Sequence, residues 1–174
     1  MIFSDISPIF MFIFSFRPSY IRRASSLMAA LLLLGAIASM PAIAQDDLSL
    51  QTVEIQGTQQ RTLAGLVILN DVIARDSSQM ILSRNAETGT NTEVDGNTLA
   101  LDGATIFISD TRVAGNVNAS EQSVIVIEQS EVDGNIEVNG DAMVALGPQT
   151  VVSGNIEGVF IGTDASGYAI YVGQ

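Results

Sequence analysis

The sequence predicts an all-β chain wound as a right-handed parallel β-helix, a solenoid of about four to six short coils that follows a cleaved signal peptide. Three observations predict it. A phrase recurs as Val94-Asp95-Gly96-Asn97, Val113-Ala114-Gly115-Asn116, Val132-Asp133-Gly134-Asn135 and Val152-Ser153-Gly154-Asn155, with Gly-Asn pairs 19, 19 and 20 residues apart. This period is too short for a helical hairpin repeat and suits one turn of a β-solenoid. A second apolar strand keeps the same register, since Ile106 and Ile108, Ile125 and Ile127, and Val144 and Leu146 each fall ten and twelve residues after their Gly. Val and Ile dominate both strands, as a pleated core face demands.

Within each coil the inward face follows from alternation. Val94, Val113, Val132 and Val152 stand two residues before Gly, and Thr98, Val117, Ile136 and Ile156 stand two after it. Ala100, Ala119, Val138 and Gly158 continue that face, while Ala104, Ser123 and Ala142 precede the second strand. Four unrelated turns in a meander would also use Gly-Asn, but would not hold a second strand in step. At the corner, Gly96, Gly115, Gly134 and Gly154 are expected to supply φ > 0, and Asn97, Asn116, Asn135 and Asn155 to tolerate the left-handed region. Stacked at roughly 4.8 Å, the four Asn side chains would pass amide hydrogen bonds along a ladder. The right hand follows from the preference of β-crossover-β units.

The chain divides into residues 1–44 as prefix and signal peptide, 45–93 as irregular strands forming an N-terminal cap, and 94–174 as the solenoid with a C-terminal strand. Arg22-Arg23, the apolar run 27–40 and the small-residue segment Pro41-Ala42-Ile43-Ala44 are the three regions of a secretory leader, with cleavage expected after Ala44. The run is shorter than the ~20 residues that span a bilayer, so no stable membrane span remains after cleavage. Ahead of it, Phe10, Phe12, Phe14 and Phe16 alternate in a further apolar stretch, which reads as a start codon placed too far upstream in preference to a membrane hairpin.

The mature chain keeps four arginines, Arg61, Arg75, Arg84 and Arg112, against 18 acids, a net charge of −14 with no Lys. That charge excludes nucleic acid as a partner and repels anionic membrane faces. With no Cys there is no disulfide, and an exported chain must rely on burial and backbone hydrogen bonds. With neither His nor Cys there is no imidazole base, thiolate or zinc cluster, and the chain is not expected to be an enzyme.

Between residues 46 and 93 the pattern loosens. Residues 51–55 alternate as a strand, residues 65–69 and 71–74 form two more around Asn70-Asp71, Met80-Ile81-Leu82 is another, and 85–92 reads as a loop. One or two irregular coils would cap the solenoid's N-terminal end. After Ile156 the repeat decays, but Val159-Phe160-Ile161 and residues 168–172 still look like strands. Tyr168, Ile170 and Val172 mark an apolar assembly edge that either receives another chain or folds back as the last rung.

Val113-Ala114-Gly115-Asn116-Val117, Val132-Asp133-Gly134-Asn135-Ile136-Glu137-Val138 and Val152-Ser153-Gly154-Asn155-Ile156 resemble the repeats of bactofilins, polymer-forming right-handed β-helices that join end to end into filaments. The resemblance covers about the last half of the chain. It implies coil geometry and an end-to-end habit; because the leader directs this chain out of the cytoplasm, it does not imply a cytoskeletal role. Secreted curlin fibre subunits are similar in period and location, but their Gln-x-Gly-x-x-Asn-x-Ala-x-x-x-Gln spacing is absent here.

Two outward ladders follow from the register. Glu137 and Glu157 each stand three residues after Gly, about 5 Å apart on adjacent rungs, where oxygen ligands would suit Ca²⁺. A solvated acidic face is the plainer reading of the same pair. Glu93, Arg112 and Glu131 stand three residues before Gly, which sets one arginine between two glutamates. The expectation is an exported structural protein of the periplasm, cell surface or extracellular space, working as a homo-oligomer or with an envelope partner through its coil ends. The alternative is an acidic module that binds carbohydrate or Ca²⁺.

Overall fold

A computed structural model describes residues 49–174 of the chain. The leader, its cleavage point at Ala44 and the alternating phenylalanines lie outside the described residues. Among the described residues there is no helix, and the strands wind into a parallel β-solenoid of six coils with three faces. The first coil is β1 (Ser49–Leu50), β2 (Val53–Ile55) and β3 (Gln60–Ala64); the second is β4 (Val67–Ile68), β5 (Val72–Ala74) and β6 (Gln79–Ser83). The third is β7 (Thr92–Val94), β8 (Thr98–Ala100) and β9 (Thr105–Ser109), and the fourth β10 (Thr111–Val113), β11 (Val117–Ala119) and β12 (Val124–Glu128). The fifth is β13 (Glu131–Val132), β14 (Ile136–Val138) and β15 (Met143–Leu146). The sixth begins with β16 (Val151–Val152) and β17 (Ile156–Glu157) and ends in a hairpin of β18 (Val159–Thr163) and β19 (Ala169–Val172).

First strands stack as sheet A, second strands as sheet B and third strands as sheet C. The register is the one the sequence predicts. Val94, Val113, Val132 and Val152 pair in one column, Thr98, Val117, Ile136 and Ile156 in another, and Ile106, Ile125 and Val144 in a third. These side chains meet in one continuous core along the bore. Each Ile buried there contributes on the order of 1.5–3 kcal/mol, which is how a chain without disulfides is held. Sheet C is apolar on its outward side as well: Phe107, Val126 and Ala145 are buried although they alternate with the bore-facing isoleucines. That is why its strands read as continuous apolar runs.

The stretch expected to be an irregular cap consists, from Ser49 onward, of two coils stacked in the same three sheets. The loop between β6 and β7 inserts extra residues there. Asn85 closes it as an Asx turn, its Oδ1 accepting from the N–H groups of Glu87 and Thr88 at 2.9 and 3.1 Å. Thr92 ties the loop's exit to the coil, its Oγ1 donating to the Ser83 carbonyl at 2.6 Å and accepting from the Gly65 N–H at 2.9 Å.

The corner between sheets A and B corrects the reason given for its glycines. Gly96, Gly115, Gly134 and Gly154 are not among the positive-φ residues, and neither are the asparagines after them. What excludes a side chain is the previous coil. A Cβ on Gly115, Gly134 or Gly154 would lie 2.4 Å from the carbonyl oxygen of the preceding corner Gly, and one on Gly96 would lie 2.5 Å from the Asn70 carbonyl carbon. The ladder also differs from a stack of side-chain amides. The backbone N–H of Asn116 donates to Asn97 Oδ1 at 2.9 Å, that of Asn135 to Asn116 Oδ1 at 2.8 Å and that of Asn155 to Asn135 Oδ1 at 2.9 Å. Asp71 Oδ1 starts the series by accepting from the Asn97 N–H at 2.7 Å. Positive φ occurs instead at the other two corners, in Asp76, Asp102 and Glu121 after sheet B and Asp110, Gln129 and Gln149 after sheet C.

Candidate docking surface at the C-terminal end of the coil

The sixth coil does not complete sheet C in parallel. β19 takes the place on β15 where the third strand of that coil would stack, but antiparallel to it, and β18 pairs antiparallel with β19 one strand further out. Asp164 shapes the reversal: its Oδ1 accepts from the N–H groups of Ser166 and Tyr168 at 2.8 and 2.9 Å. Tyr168 then crosses Gly147, where a Cβ would stand 2.6 Å from the ring, and donates its hydroxyl to Glu128 Oε2 at 2.5 Å. Burial, and after it this hydrogen bond to Glu128, push the phenol up to about 12.

Of the two readings of Tyr168, Ile170 and Val172, the structure shows the folded-back one, with β18 and not β19 outermost in sheet C among the described residues. β19 is hydrogen-bonded on both sides, and Ile170 and Val172 are buried opposite Ala145 and Met143. Tyr171 faces the bore, opposite Val144 and next to the Phe160 ring, with centroids 5.4 Å apart. Among the described residues the free edge is one strand further out. β18 ends the strand order of sheet C, and it carries Val159, Phe160 and Ile161 at 41%, 54% and 46% exposure. Val151 on β16 adds a fourth exposed apolar residue at this end, at 57%. None of these residues is charged, in a chain of formal net charge −12.

The other sequence-marked residues are not brought into a shared site. Glu137 and Glu157 pair across β14 and β17, but Glu137 Oε2 accepts from Asn118 Nδ2 at 2.8 Å, and among the described residues no group of three or more acids is placed to hold a metal ion. Arg112 does lie between Glu93 and Glu131 in the register. Its guanidinium bridges Glu93 and Asp133, each at 2.5 Å, so the acid on the next coil is the one two residues along. Those contacts, the hydrogen bond to Glu93 first and then the Asp133 charge, raise the Arg112 pKa further. One carboxyl contact escaped the sequence reading. Glu121 and Asp102 share a hydrogen bond on adjacent coils, and that bond, with the Asp102 charge, raises the Glu121 carboxyl above its usual value. Compared with family models, curated proteins and solved structures, the chain finds no match.

Proposed function

We propose that this chain is an exported structural protein that works by self-association through a coil end. The observation that carries the reading is the β18 edge, unpaired among the described residues, with Val159, Phe160 and Ile161 half exposed on a chain that is otherwise strongly acidic. An acidic protein approaches its own copies most readily where charge is absent, and a free edge adds a row of main-chain hydrogen bonds to any apolar contact. The likeness of the Gly-Asn phrase to bactofilin repeats supports an end-to-end habit, and the leader-like segment 22–44 supports a location in the periplasm, at the surface or outside the cell. Light scattering of the protein beginning at Gln45, across a wide concentration range, tests the reading. Mass should rise with concentration, and Phe160→Asp should abolish the rise. A monomer at every concentration would defeat it, and a mass change governed only by added Ca²⁺ would favour the acidic binding module.

A further inference from the structure

We infer that the C-terminal end of the coil closes against a second copy of this chain, β18 pairing antiparallel with the second copy's β18 about a two-fold axis near Ile161, so that association stops at a dimer. This rests on the coil-end reading above and adds what the end receives and where growth stops.

Three features oppose continuous head-to-tail stacking. The C-terminal end is stepped, because sheet C holds seven strands where sheets A and B hold six, while all three sheets begin together in the first described coil. A copy added head to tail would meet sheet C one strand spacing, about 4.8 Å, before it met the other two. The corner is also wrong. Every coil added after Gly96 brings a Gly to within 2.4 Å, Cβ position to carbonyl oxygen, of the corner below it, whereas the first described coil presents Gln51 there, its carbonyl bonded to the Asn70 N–H. Charge opposes it as well. The outward column of sheet B runs Glu54, Ile73, Leu99, Asn118, Glu137, Glu157, so head-to-tail addition would set Glu157 against Glu54 of the added copy.

Two-fold pairing through β18 removes all three conflicts. The projecting strands meet each other first and no Gly-Asn corner has to stack. The two Glu157 carboxylates stay three strand spacings apart, about 14 Å, beyond the ~8 Å screening length of physiological salt. β18 is uncharged from Val159 to Thr163 and has an irregularity between Phe160 and Gly162, which a two-fold axis at Ile161 sets opposite its own copy. Phe160, already against Tyr171 over the bore, then lies opposite Gly162 of the second copy and diagonal to its own counterpart, within aromatic reach. Once paired, β18 has no free side, and an isologous contact of this kind is closed.

The chain has no cysteine, so single cysteines report the geometry cleanly. Ile161→Cys should give a disulfide-linked dimer on mild oxidation, since residues opposite each other in an antiparallel pair stand at bridging distance. Gln51→Cys should give none, and the double variant should give no species larger than the dimer. Phe160→Asp should weaken dimerisation at least about tenfold in sedimentation equilibrium while circular dichroism stays that of the parent, the site being exposed. Oligomers larger than a dimer, or a disulfide in the double variant joining position 161 of one copy to position 51 of another, would overturn the two-fold arrangement and leave coil-end association standing. A dimer that forms but neither cross-links at position 161 nor responds to Phe160→Asp would overturn it too. A protein that stays monomeric throughout defeats the underlying reading itself.

Discussion

Gly134 separates two explanations of the repeat. If the corner glycines were there for a left-handed backbone, Asn, which tolerates that region, would serve in their place. If they are there because the next coil lies on the previous one, any Cβ is excluded. At Gly134 an added Cβ would stand 2.4 Å from the Gly115 carbonyl oxygen and 2.5 Å from Asn116 Oδ1. Both neighbours are held: the Gly115 N–H donates to the Gly96 carbonyl at 3.1 Å, and Asn116 Oδ1 accepts from the Asn135 N–H at 2.8 Å. Relief requires the two coils to part, with an overpacking cost of about 1–3 kcal/mol and loss of a hydrogen bond worth about 0.5–1.5 kcal/mol. Gly134→Ala should therefore cost roughly 2–4 kcal/mol, and Gly134→Asn no less. Gly140 is the control. It has φ +59° and nothing nearer than 4.0 Å to an added Cβ, so Gly140→Ala carries only backbone strain, about 1–2 kcal/mol, and Gly140→Asn less. Urea unfolding followed by circular dichroism measures all four. Tolerance of Gly134→Asn to within about 0.5 kcal/mol would refute the stacking account.

Thr98 lies in the bore between Val72 and Val117 with its hydroxyl buried and without a hydrogen-bond partner, so Thr98→Val should stabilise by about 1 kcal/mol in the same assay. Arg112→Glu should destabilise more than Arg112→Ala at low salt, because a carboxylate there would face Glu93, Glu131 and Asp133, and the gap should close as salt is added; equal effects at low salt would contradict the register. The raised Glu121 pKa means the folded state holds its proton to higher pH than the unfolded state does. Its contribution is therefore present below the ordinary value of 4.5 and lost as pH rises through the folded value, so Glu121→Gln should flatten the melting temperature against pH in that window. Tyr168→Phe removes the hydroxyl bonded to Glu128, and the parent's stability, but not the variant's, should fall as pH climbs from 10 toward about 12, where the folded phenol ionises.

The coil register was legible because one position repeats its demands at every turn. Val94, Val113 and Val132 occupy the same place against the same core, so agreement across coils reports stacking directly. The first two coils were harder to read for a particular reason. Asp71 and Asn97 are bonded neighbours across a separation of 26 residues, because the loop after Arg84 lengthens that turn, and Asn70-Asp71 stands where Gly-Asn stands later. A marker inside the coil would have found them. Val53 and Leu63, Val72 and Leu82, and Thr98 and Ile108 are each ten residues apart, first bore position of sheet B to last of sheet C, whatever the loop does. The direction of β19 was not legible at all. Alternation of Ala169, Ile170, Tyr171 and Val172 assigns faces but says nothing of parallel or antiparallel pairing, and the turn that reverses the chain is set by Asp164 and by the space above Gly147.

That reversal is what stops the coil, and the corner chemistry explains why a reversal is effective there. Each Asn side chain places its Oδ1 to receive an N–H from the next coil, and each Gly leaves its carbonyl uncovered for the next Gly, so both devices face the C-terminal side. A coil built this way invites another on that side as long as a Gly-Asn corner arrives in register. Past Asn155 none does among the described residues; Gly158 leads straight into β18, and β19 then occupies the edge of β15 in the opposite direction. An antiparallel strand satisfies the β15 hydrogen-bonding groups while presenting no corner for the Asn ladder to continue. Growth by the rule that built the coil is thereby ended at sheet C, and the edge left open among the described residues, β18, is neutral and irregular between Phe160 and Gly162. Such an edge accommodates a partner of matching twist far better than an unlimited series of them, which is why its pairing with one second copy, and not with many, is the association to measure first.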